Sequence, residues 1–77
     1  MIIRVYDFDR GNESLEMIKT VRDFGAIRLS IAKRLVEKFL KGDIDHVEFE
    51  CEDANGPDVL AKIEALGFIA KEVREQS

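Results

Sequence analysis

SIAKRLVEKFLKGDIDHVEFECE, residues 30–52, decides the fold, because its hydrophobic period changes from that of a helix to that of a strand. Ala32, Leu35, Val36, Phe39 and Leu40 recur at i, i+3, i+4, i+7 and i+8, while Lys33, Arg34, Glu37, Lys38 and Lys41 take the other side. That spacing predicts an amphipathic helix. Ser30 suits its N-cap and Gly42 its end. Lys38 and Lys41 complement the negative end of its dipole. Residues 45–52 then alternate strictly, with Val47, Phe49 and Cys51 on one side and His46, Glu48, Glu50 and Glu52 on the other. A strand with one apolar and one ionic face predicts a sheet covered on one side only.

The flanking segments complete the pattern. IIRVYDF, residues 2–8, is rich in β-branched and aromatic types and predicts a first strand. Residues 13–24 return to helical spacing, with Leu15, Ile18 and Val21 every three residues and Met17 and Phe24 widening the stripe. Asn12 or Ser14 is expected to cap that helix, and Gly25 to take the left-handed position at its end. Only a short link then separates the two helices, which predicts a helical hairpin or corner. Asn55-Gly56-Pro57 reads as a turn into a third helix with stripe Val59, Leu60, Ile63 and Leu66, ended by Gly67. Residues 68–74 predict a last strand. Either a bulge near Lys71-Glu72 brings Val73 into phase with Phe68 and Ala70, or Ile69, Lys71 and Val73 share a face. Glu75-Gln76-Ser77 is expected to fray. The expected fold is therefore α+β, with element order β-α-α-β-α-β: a three-stranded sheet with three helices on one face, one domain over residues 1–77.

Composition narrows the function. The chain has 77 residues, 45% apolar and 36% charged, enough for one thin core under a densely ionic surface. Twelve basic residues against sixteen acidic ones give a net charge of −4, which argues against direct nucleic-acid binding. The single Cys51 excludes an internal disulfide and fits a reducing, cytoplasmic setting. No apolar run is long enough to span a bilayer, and the opening MIIRVYDFDR does not read as a signal peptide.

No residue pattern points to catalysis or to a cofactor. His46 and Cys51 stand an odd number of positions apart on one strand, so they face opposite ways and cannot form a nucleophile–base pair. His46, Glu48 and Glu50 share a face, but neighbouring strand residues diverge where a metal needs convergent ligands, so no metal is expected. Asp7 and Asp9 read as solvated carboxylates at a strand end. The basic residues Lys19, Arg22, Arg28 and Lys33 are different in kind. A helical corner would gather them into a positive patch on an acidic protein, suited to an acidic partner.

The residues of that corner also carry a family resemblance. IKTVRDFGAIRLSIAKRLVE, residues 18–37, resembles without a gap the helical corner of the C-terminal domain of the bacterial ribosomal stalk protein. Ile18, Lys19, Val21, Arg22, Leu29, Ala32, Lys33, Leu35, Val36 and Glu37 fall on matching residue types. VLAKIEALGFIAKEV, residues 59–73, is similar to that domain's last helix and strand. The resemblance implies the same β-α-α-β-α-β fold and a protein-binding role, in which the stalk domain recruits translational GTPases. It implies docking charges at Lys19, Arg22 and Lys33 and an apolar docking residue at Ile18. Arg28 departs from the family's glycine-containing link, and Ser14 stands where the family has a further lysine. With Met1 directly before the first strand, the chain is expected to be a stand-alone or phage-encoded relative that binds a translation factor or another host protein. The alternative implied by the same superfamily fold is an adaptor like ClpS, with Asp7, Asp9 and Asn12 near an amine-binding site.

Overall fold

A computed structural model describes residues 1–74. The elements run β1 (Ile2–Phe8), α1 (Ser14–Gly25), α2 (Leu29–Lys41), β2 (Val47–Glu50), a single 3₁₀ turn (Asp53–Asn55), α3 (Gly56–Ala65) and β3 (Phe68–Val73). The three strands form one antiparallel sheet in the order β2-β1-β3. The expected α+β architecture and its element order are therefore present. The expected fraying of residues 75–77 lies outside the described residues.

The core fills the space between one sheet face and the helices. Ile3 and Val5 of β1, Val47 and Phe49 of β2, and Phe68 of β3 are buried against Met17, Ile18 and Val21 of α1, Ala32, Val36 and Phe39 of α2, and Val59 and Ile63 of α3. Phe8 joins them edge-on to Phe39, with ring centroids 5.3 Å apart, a favourable aromatic geometry. The opposite sheet face carries Arg4, Tyr6, Glu48, Glu50, Ile69 and Lys71, all fully or partly open to solvent. Arg4 donates to Glu48 Oε1 from Nε at 3.0 Å and from Nη2 at 2.8 Å, and Lys71 lies 5.4 Å from the Tyr6 ring centre.

Several local expectations change. The bulge lies in β1 and not at Lys71-Glu72: Val5 pairs with Ala70 and Asp7 with Ile69, leaving Tyr6 as the extra residue. One added residue reverses the alternation, so Ile3, Val5 and Phe8 all face the core despite their mixed parity. β3 is then regular, and Ile69, Lys71 and Val73 share the open face, as in the second of the two readings. β2 is shorter than residues 45–52, although the burial alternation of Val47, Phe49 and Cys51 extends past its end.

The caps also shift. α2 begins at Leu29 with Arg28 at its N-cap, so Ser30 is already helical. Glu13 holds the N-cap of α1 without a side-chain bond. Asn12 instead donates from Nδ2 to the Asp9 carbonyl at 2.7 Å. Gly25 is the last helical residue, and the left-handed position falls to Ala26, with φ 52°. Packing explains the displacement. A Cβ on Gly25 would stand 3.2 Å from both Phe49 Cβ and Ile27 Cδ1, so a larger residue would crowd the place where α1 closes on β2.

Candidate functional site

The α1–α2 corner is built by two helices and a tight link. Ala26 turns the chain, and the Ile27 N–H donates back to the Arg22 carbonyl at 3.3 Å. Arg28 is extended, with φ −59° and ψ 144°, and its carbonyl accepts the N–H groups of Ile31 and Ala32 at 3.0 and 2.9 Å. That bonding starts α2 one turn after α1 ends and holds Arg28, Leu29 and Ile31 at the surface.

α1 buries Met17, Ile18, Thr20 and Val21. Thr20 is accommodated there because its hydroxyl donates to the Glu16 carbonyl at 2.8 Å, satisfying a polar group that burial would otherwise penalise. Ile18, expected on the docking surface, is only 6% exposed and belongs to the core; it supports the outer face from beneath. Leu15, expected in the core, is 63% exposed. It stands at i with Lys19 at i+4 and Arg22 at i+7, which places all three on one side of the helix.

The charges around α1 are organised by Asp23. Arg22 Nε donates to Asp23 Oδ1 at 2.8 Å. That hydrogen bond holds the Asp23 carboxyl below its ordinary range, with smaller attractions from Lys62 and Lys19. Lys62 of α3 also lies 5.9 Å from the centre of the Phe24 ring. Lys19 Nζ is 3.4 Å from Glu16 Oε1. Lys19 and Arg22 therefore each have an acidic neighbour on α1 itself, Glu16 and Asp23. Lys33 is placed elsewhere, on the exposed face of α2, where it borders a shallow groove with Ser30, Arg34, Glu37, Lys38, Lys41 and Asp43. The four basic residues of the expected patch are all at least partly open to solvent, but they form two groups, with Arg28 at the bend.

Sequence reasoning missed the apolar half of this surface. Leu29 and Ile31, at the start of α2, are 51% and 45% exposed. The recurrence of 15, 18 and 21 every three residues predicts Leu15 inward. Three residues advance a helix by about 300°, so each step slips about 60° around the axis. Leu15 lies about 60° beyond Ile18, outside the arc that Met17, Ile18, Thr20 and Val21 bury. The adjacency of Leu15 to Lys19 and Arg22 at i+4 and i+7 was the available signal.

The remaining chemistry-bearing residues stay apart. His46 is exposed, with Nε2 3.5 Å from Glu48 Oε1, while Cys51 is buried on the other side of the strand. Burial pushes the Cys51 thiol pKa up, away from the reactive thiolate. Among the described residues no group of three His, Cys, Asp or Glu side chains could hold a metal ion. Asp7 Oδ1 accepts the Phe8 N–H at 2.8 Å, and the Asp9 carbonyl accepts from Asn12. An open depression of about 510 Å³ lies beside Met1 and is lined by Asp23, Phe24, Glu50, Cys51 and Asp53, among others. Its Asp53 Oδ1 accepts from the Met1 ammonium at 2.7 Å, and its Asp23 is bonded to Arg22. No helix of the described residues is long and apolar enough to cross a membrane. Comparison with protein-family models, with curated proteins and with solved structures finds no match to this chain.

Proposed function

We propose that this protein is a non-catalytic protein-interaction domain that docks its partner on the α1–α2 corner. One observation carries the reading. Leu15, Leu29 and Ile31 are exposed large hydrophobics on these two helices, interleaved with Lys19, Arg22, Arg28 and Lys33. Apolar anchors with cations beside them suit a partner with apolar residues set in an acidic surface. The apolar residues supply water-excluded contact, and the cations set orientation and speed encounter. The resemblance of residues 18–37 to the ribosomal stalk domain makes a translational GTPase, met in the cytoplasm, the first partner to test.

The test is titration calorimetry of the chain against purified elongation and initiation factors. Lys19→Glu with Arg22→Glu, and separately Leu15→Ala, should each weaken binding about tenfold, the scale of a moderate hot spot. These variants remove only exposed ion pairs worth about 0–1 kcal/mol, so the fold should persist. Unchanged affinity in both variants would place the contact elsewhere. No binding by any factor would reject the translational partner.

A further inference from the structure

The outer face of α2 is basic along its length. Lys33, Arg34, Lys38 and Lys41 are exposed, and they border a groove of about 360 Å³ shared with Ser30, Glu37 and Asp43. Arg34, Lys38 and Lys41 stand at i, i+4 and i+7 in one row, with Lys33 and Glu37 in the row beside it. Among the described residues none of these four cations takes part in an ion pair.

Helix stability does not account for this row. Lys38 and Lys41 oppose the negative end of the dipole, but Lys33 and Arg34 lie in the first half of α2, whose first turn holds no acidic residue. Those two stand beyond the first turn, where the dipole does not favour them. Arg34 with Lys38, and Lys38 with Lys41, are also like-charge neighbours that repel. Glu37, four residues from both Lys33 and Lys41, offsets part of that repulsion, and the row remains a positive strip in a chain whose net charge is −4.

We propose that this row is a docking surface for an acidic helix of a partner protein, with carboxylates repeating at i, i+4 and i+7 opposite Arg34, Lys38 and Lys41. Two helices laid side by side share the same rise of about 1.5 Å per residue, so three successive charge pairs stay in step. Glu37 and Asp43 on the same groove select this occupant over a polyphosphate or an anionic bilayer. Those present unbroken negative charge, which would meet both carboxylates. A helix places side chains singly and can set a neutral or basic residue opposite Glu37. The surface shares Lys33 with the corner but extends away from it, because Leu15, Lys19 and Arg22 do not border the groove.

The probe is a designed alanine-rich helical peptide with glutamates at i, i+4 and i+7, titrated at low salt into the isotope-labelled chain and followed by amide chemical shifts. The control peptide has the same composition with its glutamates spread around the helix. Saturable shifts should map to α2, with affinity about tenfold weaker for the control peptide and for R34Q/K38Q/K41Q. K19E/R22E should bind the probe like the parent, which separates this surface from the corner. The glutamine variant should keep the fold, because it changes only exposed side chains. Should the triple variant fail to fold, R34Q and K38Q measured singly should each lose about threefold. Equal affinity for the two peptides, shifts mapping away from α2, or tighter α2-mapped binding of a short DNA duplex or of phosphatidylglycerol vesicles would overturn the proposal.

Discussion

Replacing Leu15 and Ile18 separately by alanine tests the rotation of α1 on which the candidate surface depends. Ile18 is 6% exposed and packed within the core, so removing its side chain beyond Cβ opens a cavity. Truncating a buried isoleucine in this way costs about 2–5 kcal/mol. In a domain of this size each kcal/mol lowers the melting temperature by about 4–8 °C, so Ile18→Ala should fall by roughly 8–40 °C. Leu15 is 63% exposed, and alanine is a slightly better helix former, so Leu15→Ala should change stability by no more than about 0.5 kcal/mol. Thermal unfolding followed by far-ultraviolet circular dichroism reads both effects directly, which suits a chain without tryptophan. The functional readout should invert the order: Leu15→Ala keeps the fold and loses partner affinity, while any loss in Ile18→Ala follows its unfolding. If Leu15→Ala melted as low as Ile18→Ala, Leu15 would be a core residue. The apolar part of the docking surface would then disappear with it.

Two further perturbations probe the frame around the site. Gly67 has φ +89°, and a Cβ there would stand 2.8 Å from the Asn12 Cα. Gly67→Ala should therefore lose at least about 1–2 kcal/mol from its conformation alone, read as a lower denaturant midpoint; a midpoint equal to the parent's would contradict the tight α3–β3 turn. Asp53 is paired with the Met1 ammonium, which lowers the Asp53 pKa from its ordinary 3.8 and is accompanied by a rise in the ammonium pKa from 8.0. A depressed carboxyl adds stability above its unfolded value and loses it as pH falls; a raised ammonium adds stability below its unfolded value and loses it as pH rises. In the 77-residue chain, the midpoint difference between parent and Asp53→Asn should be widest between pH 3.8 and 8.0 and narrow outside that window. A difference independent of pH would dismiss the ion pair.

Periodicity determined most of the architecture, because a buried face must repeat with the geometry of its element. The helical run from Ala32 to Leu40 and the alternation of Val47, Phe49 and Cys51 both bury the expected side chains fully or in part. The β-α-α-β-α-β order follows from such patterns, since each stripe needs a common surface to cover it. Composition and spacing likewise placed Cys51 inward and His46 outward. What the pattern could not determine was the exact angle at which each element meets its neighbours. The rotation of α1 follows from how Met17, Ile18, Thr20 and Val21 fit the space it shares with α2, α3 and β2, and that fit exposes Leu15. The bulge at Tyr6 arises from the pairing of β1 with β3, a contact between distant parts of the chain. Gly25 sits helical and close to Phe49, and the left-handed turn falls on Ala26. The same three-dimensional packing divided the expected basic patch. Sequence showed which cations lie off the apolar stripes, but only the tertiary structure put Leu15 on the open side with Lys19 and Arg22 and left Lys33 with the basic row of α2, because a helix's charges point wherever its buried face does not.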